Sequence, residues 1–236
     1  INNKLYQSLF SKIGGIVVVY ITGDVHGNLS DLDSRNINRL KKDDVLIITG
    51  DFGFIWDNSS RELKMLKKLS KRKYKILFVD GVHENFELLN EYETTELFGA
   101  KAQKISDNIY RLCRGEIYNI ENKSYFCLGG GEVDDPFEKP DENPLHSPMP
   151  TDEELQYAVD NLQKASRKID IIITHEAPAS VKRLIRRDCE INDLNIFLDT
   201  LLHNVKYSKW YFGSLHTDRT LSNQMTCVWQ QIIKVD

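Results

Sequence analysis

Short apolar runs, each broken off by a turn that carries glycine or a polar side chain, constrain this chain most. They cover residues 16–22, 45–49, 75–79, 169–174 and 209–212. Helical stretches separate the early runs, at 29–40 and again at 60–71, where Leu63, Leu66 and Leu69 recur at helical spacing. Near-continuous apolar strands that alternate with helices need cover on both faces, which points to an α/β sheet architecture. The middle of the chain reads differently, with short strands expected at 108–112, 116–120 and 124–128. The last two are joined by a tight turn at Glu121-Asn122-Lys123. A loop rich in proline and acidic residues then occupies 129–150, and Thr151 opens a helix running to about Arg167 through a capping box with Glu154.

The turn after each strand carries the chemistry. The five strand ends read Gly23-Asp24-Val25-His26-Gly27, Gly50-Asp51-Phe52-Gly53, Gly81-Val82-His83-Glu84, Thr174-His175-Glu176-Ala177-Pro178 and Gly213-Ser214-Leu215-His216. In open α/β sheets the ligand site lies outside the carboxyl ends of the strands. Two aspartates and four of the six histidines therefore fall at one edge of the fold. Taken singly, each motif is an ordinary turn or cap; taken together, they form a mixed imidazole and carboxylate set that suits Mn, Fe, Zn or Ni.

Composition closes off other classes. Lys and Arg number 31 against 35 Asp and Glu, a formal charge of −4, which argues against a dedicated duplex-DNA binder. The longest wholly apolar run, 16–21, is far short of the ~20 residues that cross a bilayer, and no basic–apolar–small leader opens the chain. Cys113, Cys127, Cys189 and Cys227 are scattered without a CxxC pair, so neither a thiolate metal site nor a disulfide framework is expected. A cytoplasmic location without membrane attachment is the expectation. Two basic runs, seven residues between Lys64 and Lys75 and the group Lys182, Arg183, Arg186 and Arg187, read as solvated helix faces. Nucleic-acid binding through them is the less favoured alternative, and the second run, which follows His175 closely, starts near enough to the strand ends to contact a phosphate instead.

The strand-end series resembles that of the calcineurin-like metallophosphoesterase superfamily: Asp-x-His, Gly-Asp, Gly-Asn-His-Glu, a lone His, then Gly-His-x-His. The resemblance extends to Trp56 after Gly50-Asp51-Phe52-Gly53, to Leu112-Cys113-Arg114-Gly115 and to Gly129-Gly130-Gly131. It implies a sandwich of two facing mixed β-sheets flanked by helices, one domain over 16–236 behind an N-terminal extension of 1–15. Carried over position by position, Asp24, His26 and His216 would bind one divalent transition ion, Asp51 would bridge, and His175 would serve a second. His83 would assist the leaving group, and Arg114 is a candidate contact for a substrate phosphate. Two positions depart from the pattern: Val82 stands where the family has Asn, and Ser214 where it has His. One firm ion and a weak or absent second are therefore expected. Glu84, Glu132 and Glu176 are the carboxylates adjacent in sequence. The function implied is metal-dependent hydrolysis of a phosphomonoester or phosphodiester. The competing reading is a binding or regulatory module that has kept the fold and lost turnover, and a nuclease or nucleotide phosphodiesterase is the variant within the enzyme reading.

Overall fold

The computed structural model describes residues 17–34, 37–132 and 147–236. The expected extension over 1–15 and most of the acidic loop lie outside the described residues. Strands β1 (Val19–Thr22), β2 (Val45–Ile48) and β3 (Lys75–Phe78) run parallel to one another at the heart of a seven-stranded sheet. That sheet continues through β4 (Thr94–Leu97), β5 (Ala100–Lys104) and β6 (Ile109–Leu112), in the order β3-β6-β5-β4. The second, six-stranded sheet holds β7 (Glu116–Ile120), β8 (Lys123–Leu128), β9 (Lys168–Thr174), β10 (Lys206–Phe212), β11 (Arg219–Thr220) and β12 (Met225–Cys227). In it β8, β9, β10 and β12 are parallel, whereas β7 and β11 pair antiparallel at the two edges. The chain then returns to the first sheet, where β13 (Ile233–Lys234) pairs antiparallel with β1.

The burial pattern explains the apolar runs. All four residues of β2 are buried, and they alternate between two cores. Val45 and Ile47 face the layer between the sheets, with Leu77, Val79, Tyr118, Ile171 and Ile173, while Leu46 and Ile48 face the outer helices, with Phe52, Phe78 and Leu69. Each such aliphatic side chain withdrawn from water contributes about 1.5–3 kcal/mol, so a strand buried on both faces cannot slip its register cheaply. The two sheets with helices outside are the sandwich that the strand-end series implied.

Helices depart from expectation in detail. The stretch 29–40 is not one helix: α1 (Leu29–Ser34) ends early and a 3₁₀ turn, Ile37–Arg39, follows. Helix α2 (Ser60–Leu69) buries Leu69 and half-buries Met65 and Leu66, but Leu63 turns outward. Helix α3 (Phe86–Asn90) was not legible, and neither was the β4–β5 hairpin, whose strands are largely polar and whose Phe98-Gly99 turn has positive φ at both residues. Helix α4 (Asp152–Lys164) carries both bonds of the Thr151–Glu154 capping box and stops three residues early, where Ser166 and Arg167 enter the left-handed region. Helices α5 (Ala179–Ile185) and α6 (Asp193–Asn204) cover the second sheet. Among the described residues no helix is long and apolar enough to cross a membrane.

Candidate metal centre

Parallel strands aim their carboxyl ends the same way, so β1, β2 and β3 of one sheet and β9 and β10 of the other release their next residues at one seam. Asp24 and His26 follow β1, Asp51 follows β2, His83 follows β3, His175 follows β9 and His216 follows β10. The turns are tight: His26, Asp51, Ser214 and His216 all have φ between 47° and 66°. Non-glycine residues hold that left-handed conformation only where the surroundings enforce it, and functional sites are where it concentrates. Here the enforcement is visible. The amides of Val25 and His26 both donate to the Asp51 carbonyl, at 3.0 and 2.8 Å. A Cβ on Gly27 would lie 2.3 Å from the Gly53 carbonyl oxygen, so only glycine lets the two loops pack this closely.

One ligand atom each from Asp24, His26, Asp51 and His216 lies within 4.8 Å of the other three. The two imidazole Nε2 atoms of His26 and His216 converge at 2.9 Å, and His216 Nε2 stands 3.2 Å from Asp24 Oδ2. Both carboxylates are buried while the two imidazoles reach the surface. The Asp51 carboxylate is held from behind, as Oδ1 accepts the amides of Val82 and His83 at 2.8 and 2.9 Å. Its Oδ2 lies 3.1 Å from His83 Nδ1 and 3.6 Å from His26 Nε2. Burial alone would raise the Asp51 pKa, but the His175 charge and the His83 hydrogen bonds hold it well below the usual carboxylate range. His83 is raised by its hydrogen bond to Asp51, and His216 by its bond to Asp24, whereas burial lowers His26. Anionic carboxylates with convergent imidazole nitrogens fit a divalent transition ion.

The remaining expected residues are placed less uniformly. His175 is buried beside the cluster and outside it; its Nδ1 is 3.0 Å from the Thr49 carbonyl and its Nε2 3.7 Å from Asp51 Oδ1. Burial would lower His175, but Asp51 and Asp24 raise it to about 9. Arg114 requires a correction. Its guanidinium is spent on Asp80 and Glu154, at 2.8 Å each, and its side chain is 4% exposed, so it offers no fork to a substrate phosphate. A pocket of about 330 Å³ opens instead beside His26 and His83, walled by Trp56, Arg61 and Met65.

Two supporting carboxylates went unassigned at the level of sequence. Glu84 is not among the clustered ligand atoms and accepts the amides of Phe52 and Gly53 at 2.6 and 3.2 Å, which fixes the loop that carries Asp51. Burial and the nearby Asp51 charge push Glu84 up to about 8. Glu62 accepts the amides of Trp56, Asp57 and Asn58 and holds the pocket wall. Its place one turn after an Asp-Asn-Ser-Ser cluster was the available signal. Glu132 is exposed.

Comparison with solved structures finds remote likenesses. One is a Staphylococcus aureus protein provisionally assigned as a 5'-nucleotidase, at 11% identity and a TM-score of 0.46, over 92% of this chain and 50% of that one. The chain thus spans half the length of that protein. Another is a phosphopantetheinyl hydrolase from Mycobacterium tuberculosis, at 14% identity and a TM-score of 0.45, over 92% of this chain and 89% of that one. No curated protein matches the sequence. The sequence model of the calcineurin-like phosphoesterases matches residues 17–222, the whole span from β1 to β11, and the chain belongs to that family.

Proposed function

We propose that this chain is a phosphoesterase that hydrolyses a phosphomonoester or phosphodiester with water at a divalent-ion centre held by Asp24, His26, Asp51 and His216. The observation that carries the reading is the convergence of those four ligand atoms within 4.8 Å at a seam flanked by His83. A bound divalent ion supplies Lewis-acid chemistry, neutralising phosphoryl oxygens and lowering the pKa of water. The protein supplies the rest. Backbone amides lock the Asp51 carboxylate, so its charge is preorganised and needs no rearrangement during reaction. The hydrogen bond to Asp51 keeps His83 protonated at higher pH than a free imidazole, as a donor to the leaving-group oxygen requires. The Trp56 pocket, next to His83, receives the leaving group.

The test is to load the protein with Mn²⁺ and offer an aryl phosphomonoester and an aryl phosphodiester. Hydrolysis of either, lowered about 10²- to 10⁴-fold in His83→Asn, supports the reading. An ion-loaded protein that hydrolyses neither leaves the fold as a binding module.

The pH dependence of loading follows from His216. Its bond to Asp24 holds a proton on the ion-free imidazole above the ordinary value, and a cation must displace that proton. Apparent Mn²⁺ affinity is therefore expected to go on rising with pH above 6.5, the unperturbed histidine value. Proton release should accompany uptake in calorimetric titrations in buffers of different ionisation enthalpy. Affinity that stays flat with pH would contradict ligation by His216.

A further inference from the structure

The centre is lopsided. Four ligand atoms gather toward Asp24 and His216, while on the side of His175 the donors run out. Asp51 Oδ1, 3.7 Å from His175 Nε2, already accepts two backbone amides. Val82, after β3, brings no heteroatom on its side chain. The Ser214 hydroxyl is committed elsewhere and donates to Glu176 Oε1 at 3.2 Å.

Glu176 is itself fully engaged and buried, at 4% exposure. Its Oε2 accepts from Asn195 Nδ2 at 2.8 Å and stands 3.3 Å from Lys182 Nζ. Lys182 also donates to Asn195 Oδ1 at 3.2 Å, and its side chain is 12% exposed. This lysine came from a basic run read as a solvated face, and the structure turns it inward. Glu176 and Val82 are also packed together around Gly131, where a Cβ would meet Val82 Cγ1 at 2.9 Å and Glu176 Oε1 at 3.2 Å. A buried carboxylate needs a positive partner, and a metal ion or an ammonium can fill that need.

We infer that the Glu176–Lys182 pair, braced by Asn195 and Ser214, seals the His175 side of the centre, so that the chain carries one ion and Lys182 is the fixed positive charge in place of a second. The inference rests on reading the four-residue cluster as a metal centre, and it does not depend on turnover. Asn195 sits in α6 and Lys182 in α5, so two helices outside the sheet are recruited to close the site. Both oxygens of Glu176 are committed, which excludes it as a ready substitute ligand while Lys182 is present.

The experiment counts ions. Apo protein is titrated with Mn²⁺, and the free-ion electron paramagnetic resonance signal reports the number bound. The parent should take up one tight equivalent. Lys182→Met removes the ammonium and leaves the Glu176 charge to Asp51 and His175, so a second equivalent should appear. Glu176→Gln added to Lys182→Met should return the count to one. Two tight equivalents in the parent would overturn the inference whatever the variants do, and so would a folded Lys182→Met protein that still binds one. No bound ion in the parent would overturn the metal centre as well. One ion without hydrolysis would support this inference and remove only the catalytic reading.

Discussion

Asp51→Asn should lose its ion and its hydrolytic activity together while keeping its fold. Asparagine is nearly isosteric, and its Oδ1 can still accept the Val82 and His83 amides that pin the native carboxylate. The change removes the negative charge shared among His26, His83 and His175. That charge would stabilise a bound cation directly, and through its bond to His83 it raises the pKa of the proposed leaving-group acid. Losing several kcal/mol of transition-state charge stabilisation corresponds to a fall in kcat of about a thousandfold or more. Metal content, kcat toward an aryl phosphoester and the melting temperature should be measured on one preparation. A variant with full metal and full rate would end the assignment of Asp51 to the centre.

Asp80→Ala, by contrast, should strike the fold itself and destabilise it far more than Asp51→Asn does. Asp80 is completely buried just beyond β3, and both its oxygens are taken. Arg111 binds Oδ1 at 3.0 Å and Arg114 binds Oδ2 at 2.8 Å. Burial would raise its pKa, but the two guanidiniums hold the carboxyl below its ordinary value. Alanine would leave two arginines, 8% and 4% exposed, without their shared anion. Stranding a buried charge in this way costs about 3–5 kcal/mol. For a chain of this size the melting temperature should drop by about 6–20 °C. Glu154→Gln is the control, because that partner of Arg114 is 37% exposed and contributes far less. A loss below about 1 kcal/mol for Asp80→Ala would mean that the arginines find water or other acceptors. The sign with pH is fixed by the lowered pKa: the contribution is present above the ordinary carboxylate value and fades as the pH falls below it.

Arg114 shows where sequence reading ran out. In the turn Leu112-Cys113-Arg114-Gly115 it looked like a free guanidinium near the site. Its true partner, Asp80, lies 34 positions earlier and meets it only because β3 and β6 are parallel neighbours, with Phe78 opposite Arg111. Lys182 misled for a related reason. Its neighbours Arg183, Arg186 and Arg187 made the run look solvated, and it is the turn after β9 that places Glu176 at its ammonium and the folding back of α6 that adds Asn195. The quartet Asp24, His26, Asp51 and His216 was legible, because each residue follows a strand whose apolar run announces itself. The β4–β5 hairpin was not, since an edge pair rich in threonine, glutamate and lysine carries little apolar alternation to read.

The seam between the layers gives a bound ion mechanical leverage. Three of the four clustered ligands hang from the seven-stranded sheet, through the turns after β1 and β2, and the fourth hangs from the six-stranded sheet after β10. An ion held there would be a rivet through both layers, and neither sheet could peel away without breaking coordination. Chelator and denaturant should then act as one reagent: stripping the ion loosens the stack, and loosening the stack releases the ion. At a hundredfold excess of ion over its dissociation constant, that coupling adds about 2.7 kcal/mol to the native state. Metal supply would then set how long the folded chain survives, whether or not substrate is present.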